Sequence, residues 1–219
     1  MNAQEILSKV DHTLLKQTAT WEDIKGICEE AVKYHTATVM VPSCFIPKIR
    51  ENYGGKLKIA TVVGFPNGNC NTAAKLAETA QALADGAEEI DMVINIGMLK
   101  AGETEYVTEE IRALKRLCGE RVLKVIVETC FLTEEEKIAA CKCVTDAGAD
   151  FIKTSTGFGS KGATLEDIKL FKEHIGEGVQ MKAAGGIHTR EEMEGFIAAG
   201  CTRLGASAAV NVLKDEVDK

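Results

Sequence analysis

Asp91, Lys124, Lys153 and Lys182 each stand inside a short run rich in Val and Ile that reads as a β-strand. Alternation sorts each run into two faces. In EEIDMVINI (88–96), Ile90, Met92 and Ile94 oppose Asp91, Val93 and Asn95; in VLKVIVET (122–129), Leu123, Val125 and Val127 oppose Lys124, Ile126 and Glu128. In DFIKTS (150–155), Ile152 and Thr154 oppose Phe151, Lys153 and Ser155; in VQMKAA (179–184), Val179, Met181 and Ala183 oppose Gln180, Lys182 and Ala184. One set is almost wholly apolar, and the other carries the charges. A lone lysine in a strand is ordinarily an edge or snorkelling residue. Three lysines and an aspartate on one face of four successive strands form a cluster, with Asp11 joining from an earlier strand and Glu128 near the upper rim.

Charges are almost never buried without partners. Lysines gathered around one or two carboxylates cannot all stay protonated cheaply, because like charge and desolvation both disfavour the ammonium form. A neutral amine in a pocket is what Schiff-base catalysis requires. The cluster therefore predicts carbonyl chemistry, with one lysine as nucleophile and another as its electrostatic activator. Metal-assisted chemistry fits less well. His12, His35, His174 and His188 are spread along the chain, His35 and His174 read as helix-surface residues, and the close pair Cys141 and Cys143 has no histidine or second pair beside it. No metal and no cofactor is expected.

Four more segments read as strands: KVDHT (9–13), TATVMVP (36–42), LKIATVVGF (57–65) and TRLGAS (202–207). Amphipathic stretches lie between the strands, most clearly WEDIKGICEEAVKYH, AAKLAETAQALADG, EYVTEEIRALKRLCG, TEEEKIAACKCVTDAG, LEDIKLFKEHIG and TREEMEGFIAAG. Thr133, Thr164 and Thr189 stand where helix N-caps are wanted, and Gly86, Gly119, Gly148 and Gly200 at the far ends. Strands alternating with helices imply a parallel sheet. Eight such units within 219 residues predict one α/β domain over 1–219, a compact (β/α)8 TIM barrel. The competing doubly wound open sheet lacks a GxGxxG after its first strand. In a closed barrel the charged set points inward, and Lys153 and Lys182 sit late in their strands, toward the end where barrel active sites lie.

A second signal follows the last strands. Gly157-Phe158-Gly159, Gly185-Gly186 and Gly205-Ala206-Ser207 would let backbone N–H groups approach an anion, which favours a phosphate site. The chain as a whole is acidic, with 26 Lys and Arg against 33 Asp and Glu for a net charge of −7, and only 5% of it is aromatic. That balance argues against a nucleic-acid binder. There is no apolar run long enough to span a membrane, and MNAQEILSKVDHTLLK lacks the apolar core of a signal peptide. A cytoplasmic protein is expected, and its eight scattered cysteines are expected to stay reduced.

DHTLLK (11–16), VVGFPNG (62–68), EIDMVINIG (89–97), LKVIVET (123–129), DFIKTSTGF (150–158), KAAGGI (182–187) and LGAS (204–207) together resemble the deoxyribose-phosphate aldolase family, in order and over nearly the whole chain. The resemblance implies a class I aldolase that reversibly cleaves 2-deoxy-D-ribose 5-phosphate to D-glyceraldehyde 3-phosphate and acetaldehyde, in cytoplasmic nucleoside catabolism. It implies that Lys153 forms the Schiff base, that Asp91 and Lys182 are the proton-transfer pair, and that Lys124, Asp11 and Thr13 support them. Gly157, Gly185, Gly186, Gly205 and Ser207 would hold the substrate phosphate. The chain departs from the family where Arg often follows the GGI-type motif, here His188, and where some relatives carry a second hydroxyl, here Ala208. A small-molecule phosphosugar is thus the expected partner, with no nucleic acid and no membrane, and a homodimer is expected because many barrels pair. Two rival readings are a Schiff-base barrel acting on a different phosphosugar and a non-catalytic phosphosugar sensor, although a sensor gains nothing from a desolvated amine.

Overall fold

Short runs of valine and isoleucine that are buried on both faces can satisfy their backbone only by pairing with one another, and intervening helices make that pairing parallel. The computed structural model describes residues 1–219 and carries the pairing to closure. The strands are β1 (Val10–Thr13), β2 (Thr38–Val41), β3 (Ile59–Val63), β4 (Glu89–Val93), β5 (Val122–Ile126), β6 (Phe151–Lys153), β7 (Gln180–Ala184) and β8 (Arg203–Ala206). Each is parallel to the next, and β8 pairs with β1. The fold is a (β/α)8 TIM barrel. The open-sheet alternative fails because no strand is left at an edge.

Outside the barrel lie α1 (Ala3–Leu7), α2 (Trp21–Tyr34), α3 (Ile46–Tyr53), α4 (Thr72–Asp85), α5 (Ile96–Lys100), α6 (Thr104–Cys118), α7 (Glu134–Asp146), α8 (Leu165–His174), α9 (Arg190–Ala199) and α10 (Ala209–Val217). Thr133, Thr164 and Thr189 cap α7, α8 and α9 by accepting the N–H of Glu136, Asp167 and Glu192. Thr20 and Asn71 do the same for α2 and α4. Gly86, Gly119, Gly148 and Gly200 all take positive φ at or just beyond helix ends. No helix is long and apolar enough to cross a membrane.

Strand parity divides the buried residues into two regions. Ile90, Met92, Ile94, Leu123, Val125, Ile152, Met181 and Ala183 face the helices in one large apolar shell. Inside the barrel the only apolar cluster is small: Met40, Ala60 and Val62, with Leu15 and Phe65 against it. Five cysteines are buried. Burial pushes the thiols of Cys28, Cys141 and Cys201 up to about 12, so they pack as small apolar side chains.

One charged pair sits in the helical layer. Lys75 on α4 and Glu110 on α6 are both buried; Lys75 Nζ donates to Glu110 Oε2 at 2.7 Å and to the Val93 carbonyl at 2.8 Å. It therefore ties two helices to the upper end of β4. Glu110→Ala leaves the Lys75 ammonium buried and uncompensated, and should cost about 3–5 kcal/mol in urea or thermal unfolding. Joint replacement by Lys75→Met and Glu110→Leu should cost less than Glu110→Ala alone; an equal or greater loss would mean that removing the partner, and not stranding a charge, is what destabilises.

Candidate active site

The inward face of β4 carries Glu89 and Asp91, that of β5 Lys124, that of β6 Lys153, that of β7 Lys182 and that of β8 Arg203, while β1 adds Asp11. Register places Asp91 beside Lys124, and Lys153 beside Lys182. Asp91 is fully buried and accepts from all three lysines: Lys124 Nζ at 2.9 Å on Oδ1, and Lys153 Nζ at 2.8 Å and Lys182 Nζ at 2.7 Å on Oδ2. Asp11 accepts from Lys182, from Arg203 at 2.6 Å and from the Thr38 hydroxyl at 2.8 Å. Glu89 lies 2.5 Å from Lys124 and 2.7 Å from Arg203.

Four cations thus face three carboxylates in a closed space, one positive charge in excess. The surplus proton leaves most cheaply from the cation with the fewest anionic neighbours. Lys124 has Asp11, Glu89 and Asp91 within ion-pair range, and Lys182 has Asp11 and Asp91. Arg203 also has two, and a guanidinium does not give up its proton in this range. Lys153 has Asp91 alone. Burial, with Lys182 and Lys124 nearby, brings its ammonium down to about 8 against the pull of Asp91. Lys124 goes the other way. Burial opposes its charge, but Asp11, Asp91 and Glu89 together hold its ammonium above the ordinary lysine value. Asp91 likewise resists burial, and the three lysines keep its carboxyl well below the usual range.

This arrangement corrects the expectation of three lysines around one or two carboxylates. Glu89 and Arg203 complete the network, and both were legible, since Glu89 shares the parity of Asp91 and Arg203 that of Gly205. Thr13 sits apart from the ion pairs. Its hydroxyl donates to the carbonyl of Asp11 at 2.7 Å, and its side chain helps to line the pocket above.

That pocket has a volume of about 380 Å3 and opens at the upper strand ends. Lys153 is the one lysine of the ion network on its wall, together with Gly157, Gly185, Gly186, Gly205 and Ser207. Every glycine and serine expected to hold an anion therefore lines the same pocket as the Lys153 amine. Gly157, Gly185 and Gly186 have φ of 88°, 83° and 73°, a backbone turn that L side chains rarely adopt. At Gly205 the constraint is space, because a Cβ would fall 2.9 Å from Ala184 Cβ and 3.2 Å from Lys182 Cε. Glycine there leaves room for the lysine stem. Ser207 lies just ahead of α10, whose N-terminal end favours negative charge. No aspartate or glutamate lines the pocket, whereas Lys16 and His188 do. Lys16 closes the DHTLLK run, and nothing in its local spacing points to the pocket. His35 and His174 are exposed, and His12 is buried outside the barrel against Glu30.

The sequence matches the DeoC/LacD family aldolase description over residues 6–212. It is 63% identical over 216 residues to a deoxyribose-phosphate aldolase of Clostridium botulinum (strain Alaska E43 / Type E3), covering 99% of this chain and 98% of that one. It is 51% identical to a deoxyribose-phosphate aldolase of Streptococcus pyogenes serotype M4, covering 100% and 98%. Among solved structures, a putative deoxyribose-phosphate aldolase from Coccidioides immitis superposes with TM-score 0.94 at 36% identity, covering 98% of this chain and 87% of that one. The tetrameric deoxyribose phosphate aldolase from Aeropyrum pernix superposes with TM-score 0.91 at 29% identity, covering 98% and 92%. A buried lysine that is short of carboxylate partners, opening onto an anion-friendly pocket, thus occurs in a chain that belongs to the DeoC/LacD family of aldolases.

Proposed function

We propose that the protein is a class I aldolase that reversibly cleaves 2-deoxy-D-ribose 5-phosphate to D-glyceraldehyde 3-phosphate and acetaldehyde. The observation that carries this reading is Lys153, the network amine with a single carboxylate partner and the one that reaches the pocket. The relatives named deoxyribose-phosphate aldolase support the choice of substrate.

In this reading the neutral Lys153 amine adds to C1 of the open-chain sugar, and loss of water gives an iminium. Removal of the C3 hydroxyl proton then breaks the C2–C3 bond. Its electron pair moves into the iminium to form an enamine, and glyceraldehyde 3-phosphate departs. Protonation at C2 and hydrolysis of the resulting iminium release acetaldehyde and restore the amine. Asp91 Oδ2 accepts from both Lys153 and Lys182, so a proton has a short path between the two nitrogens. Asp11, Lys124, Glu89 and Arg203 hold that pair in register. Thr13, on the wall of the same pocket, supports the network from the substrate side. The glycine-rich turns, Ser207, Lys16 and His188 receive the phosphate. The proposal includes cytoplasmic operation in nucleoside catabolism and a homodimer, although the Aeropyrum pernix relative is described as a tetramer.

A coupled assay for glyceraldehyde 3-phosphate released from 2-deoxyribose 5-phosphate tests the activity directly. Borohydride reduction in the presence of substrate, followed by peptide mapping, should place the adduct on Lys153; an adduct on Lys124 or Lys182 would overturn the assignment. Because only the neutral form of the amine is nucleophilic, trapping should rise with pH through about 8. Lys182→Leu removes a like charge, so the Lys153 pKa should rise and the trapping limb should move to higher pH. An unshifted limb would show that Lys182 does not tune the nucleophile. Lys182→Arg keeps the charge but cannot release a proton near neutrality, so kcat should fall about a hundredfold or more, the usual worth of a positioned acid–base group. A rise in KM alone would leave Lys182 as a binding residue.

A further inference from the structure

Glu128 follows β5 and takes no part in the ion network, yet it is only 2% exposed and no lysine, arginine or histidine pairs with it. Its backbone is also strained, at φ 55° and ψ 67°. The one other left-handed residue that is not glycine is His35, at an exposed helix end. Two unfavourable features on one buried residue call for a compensating contact. The Cys130 thiol supplies one long contact, 3.9 Å to Oε1, and Thr156 supplies the rest. Its backbone N–H donates to Glu128 Oε1 at 3.2 Å and to Oε2 at 3.3 Å, and its hydroxyl donates to Oε2. With its proton committed to the carboxylate, the hydroxyl turns a lone pair to the Phe158 N–H, which it accepts at 3.0 Å.

The segment Thr156–Gly159 needs such a tether because there is open space on both sides of it. Thr156 and Phe158 line the 380 Å3 substrate pocket, and both also line a second cavity of about 540 Å3 on the same end of the barrel. Phe158 is 46% exposed and is otherwise steadied by an edge-on contact with Phe65, ring centres 5.3 Å apart. Gly159 passes over Glu128 so closely that a Cβ would lie 3.1 Å from its carboxyl carbon.

We propose that Glu128 is a positioning residue: it holds Thr156–Gly159 as the wall of the substrate pocket and keeps it from relaxing into the second cavity. The kinetic half of this inference rests on the aldolase reading; the structural half does not. Gly157, carried by the tethered segment, belongs to the phosphate end, so loss of the tether weakens binding and spares the chemistry at Lys153.

The test measures kinetics on 2-deoxyribose 5-phosphate and amide hydrogen exchange across residues 154–160 for wild type, Glu128→Ala, Glu128→Gln, Thr156→Val and the double variant Glu128→Ala/Thr156→Val. Glu128→Ala should raise KM about tenfold with kcat within about twofold, the scale expected for losing hydrogen bonds to a charged acceptor. Exchange in the segment should quicken by a similar factor. Glu128→Gln can still accept the Thr156 N–H and donate to its hydroxyl, so both readouts should stay within about threefold of wild type. Thr156→Val removes the hydroxyl bond and leaves the backbone N–H on Glu128, so it should weaken binding in the same direction but by less, and the double variant should be no worse than Glu128→Ala alone, since the hydroxyl bond is already lost there. Unchanged exchange and KM in Glu128→Ala, additive losses in the double variant, or a fall in kcat alone would overturn the proposal. Should Glu128→Ala fail to fold, Thr156→Val carries the same readouts. Failure of the wild-type enzyme to release glyceraldehyde 3-phosphate would refute the aldolase reading, and exchange would still decide the tether.

Discussion

Asp91 holds three ammonium groups on one buried carboxylate, and the rest of the site follows from how unequally those groups are supplied elsewhere. Lys124 has two further carboxylates and Lys182 one, while Lys153 has none. In a closed interior each such partner counts for far more than it would in water. The same anion therefore fixes where all three amines lie, and the uneven distribution of the other carboxylates decides which one gives up its proton. Tight pairing and a reactive amine are commonly opposed requirements. Here they are met on different residues of one network.

The barrel makes this possible by separating what parity alone would mix. Outward residues of all eight strands pack on helices, which leaves the interior free for polar work. Within it, Met40, Ala60 and Val62 fill the β2 and β3 side, and the charges occupy the arc from β4 round to β1. Height matters as well. Asp11, Glu89 and Asp91 lie beneath the pocket, whose wall has no carboxylate and carries Lys16 and His188 instead. Acidic residues dominate the chain as a whole, yet its pocket suits an anion.

Small residues bring the two halves of the site together. Gly205 makes space for the stem of Lys182, and Gly185 packs so closely on Gly162 that a Cβ on the latter would fall 2.1 Å from the Gly185 carbonyl. The turn after β6 is built differently. It gains its shape from Glu128 and Thr156, a side-chain acceptor reaching across from the loop after β5, and it has open space behind it.

Much of this was legible in the chain itself. Alternation of Val and Ile with charge placed Asp91, Lys124, Lys153 and Lys182 on one face, and threonine caps and terminal glycines marked five of the ten helices. Short helices such as α3, α5 and α10 escaped because five to nine residues are too few for a clear amphipathic repeat. Glu89 and Arg203 obeyed the same alternation but stood at strand beginnings, where boundaries are least certain. Periodicity could say that the lysines share an interior. It could not count their carboxylate neighbours, because those come from strands remote in sequence, and Asp11 and Lys182 are 171 residues apart. Sequence by itself determined the barrel, its charged interior and the glycine turns at its mouth, since these depend on local period and residue type. Only the closed tertiary structure decided that Lys153 is the least compensated amine, that Lys16 joins the pocket and that Glu128 holds its wall, because each is a property of distances between strands and loops that meet only when the sheet closes.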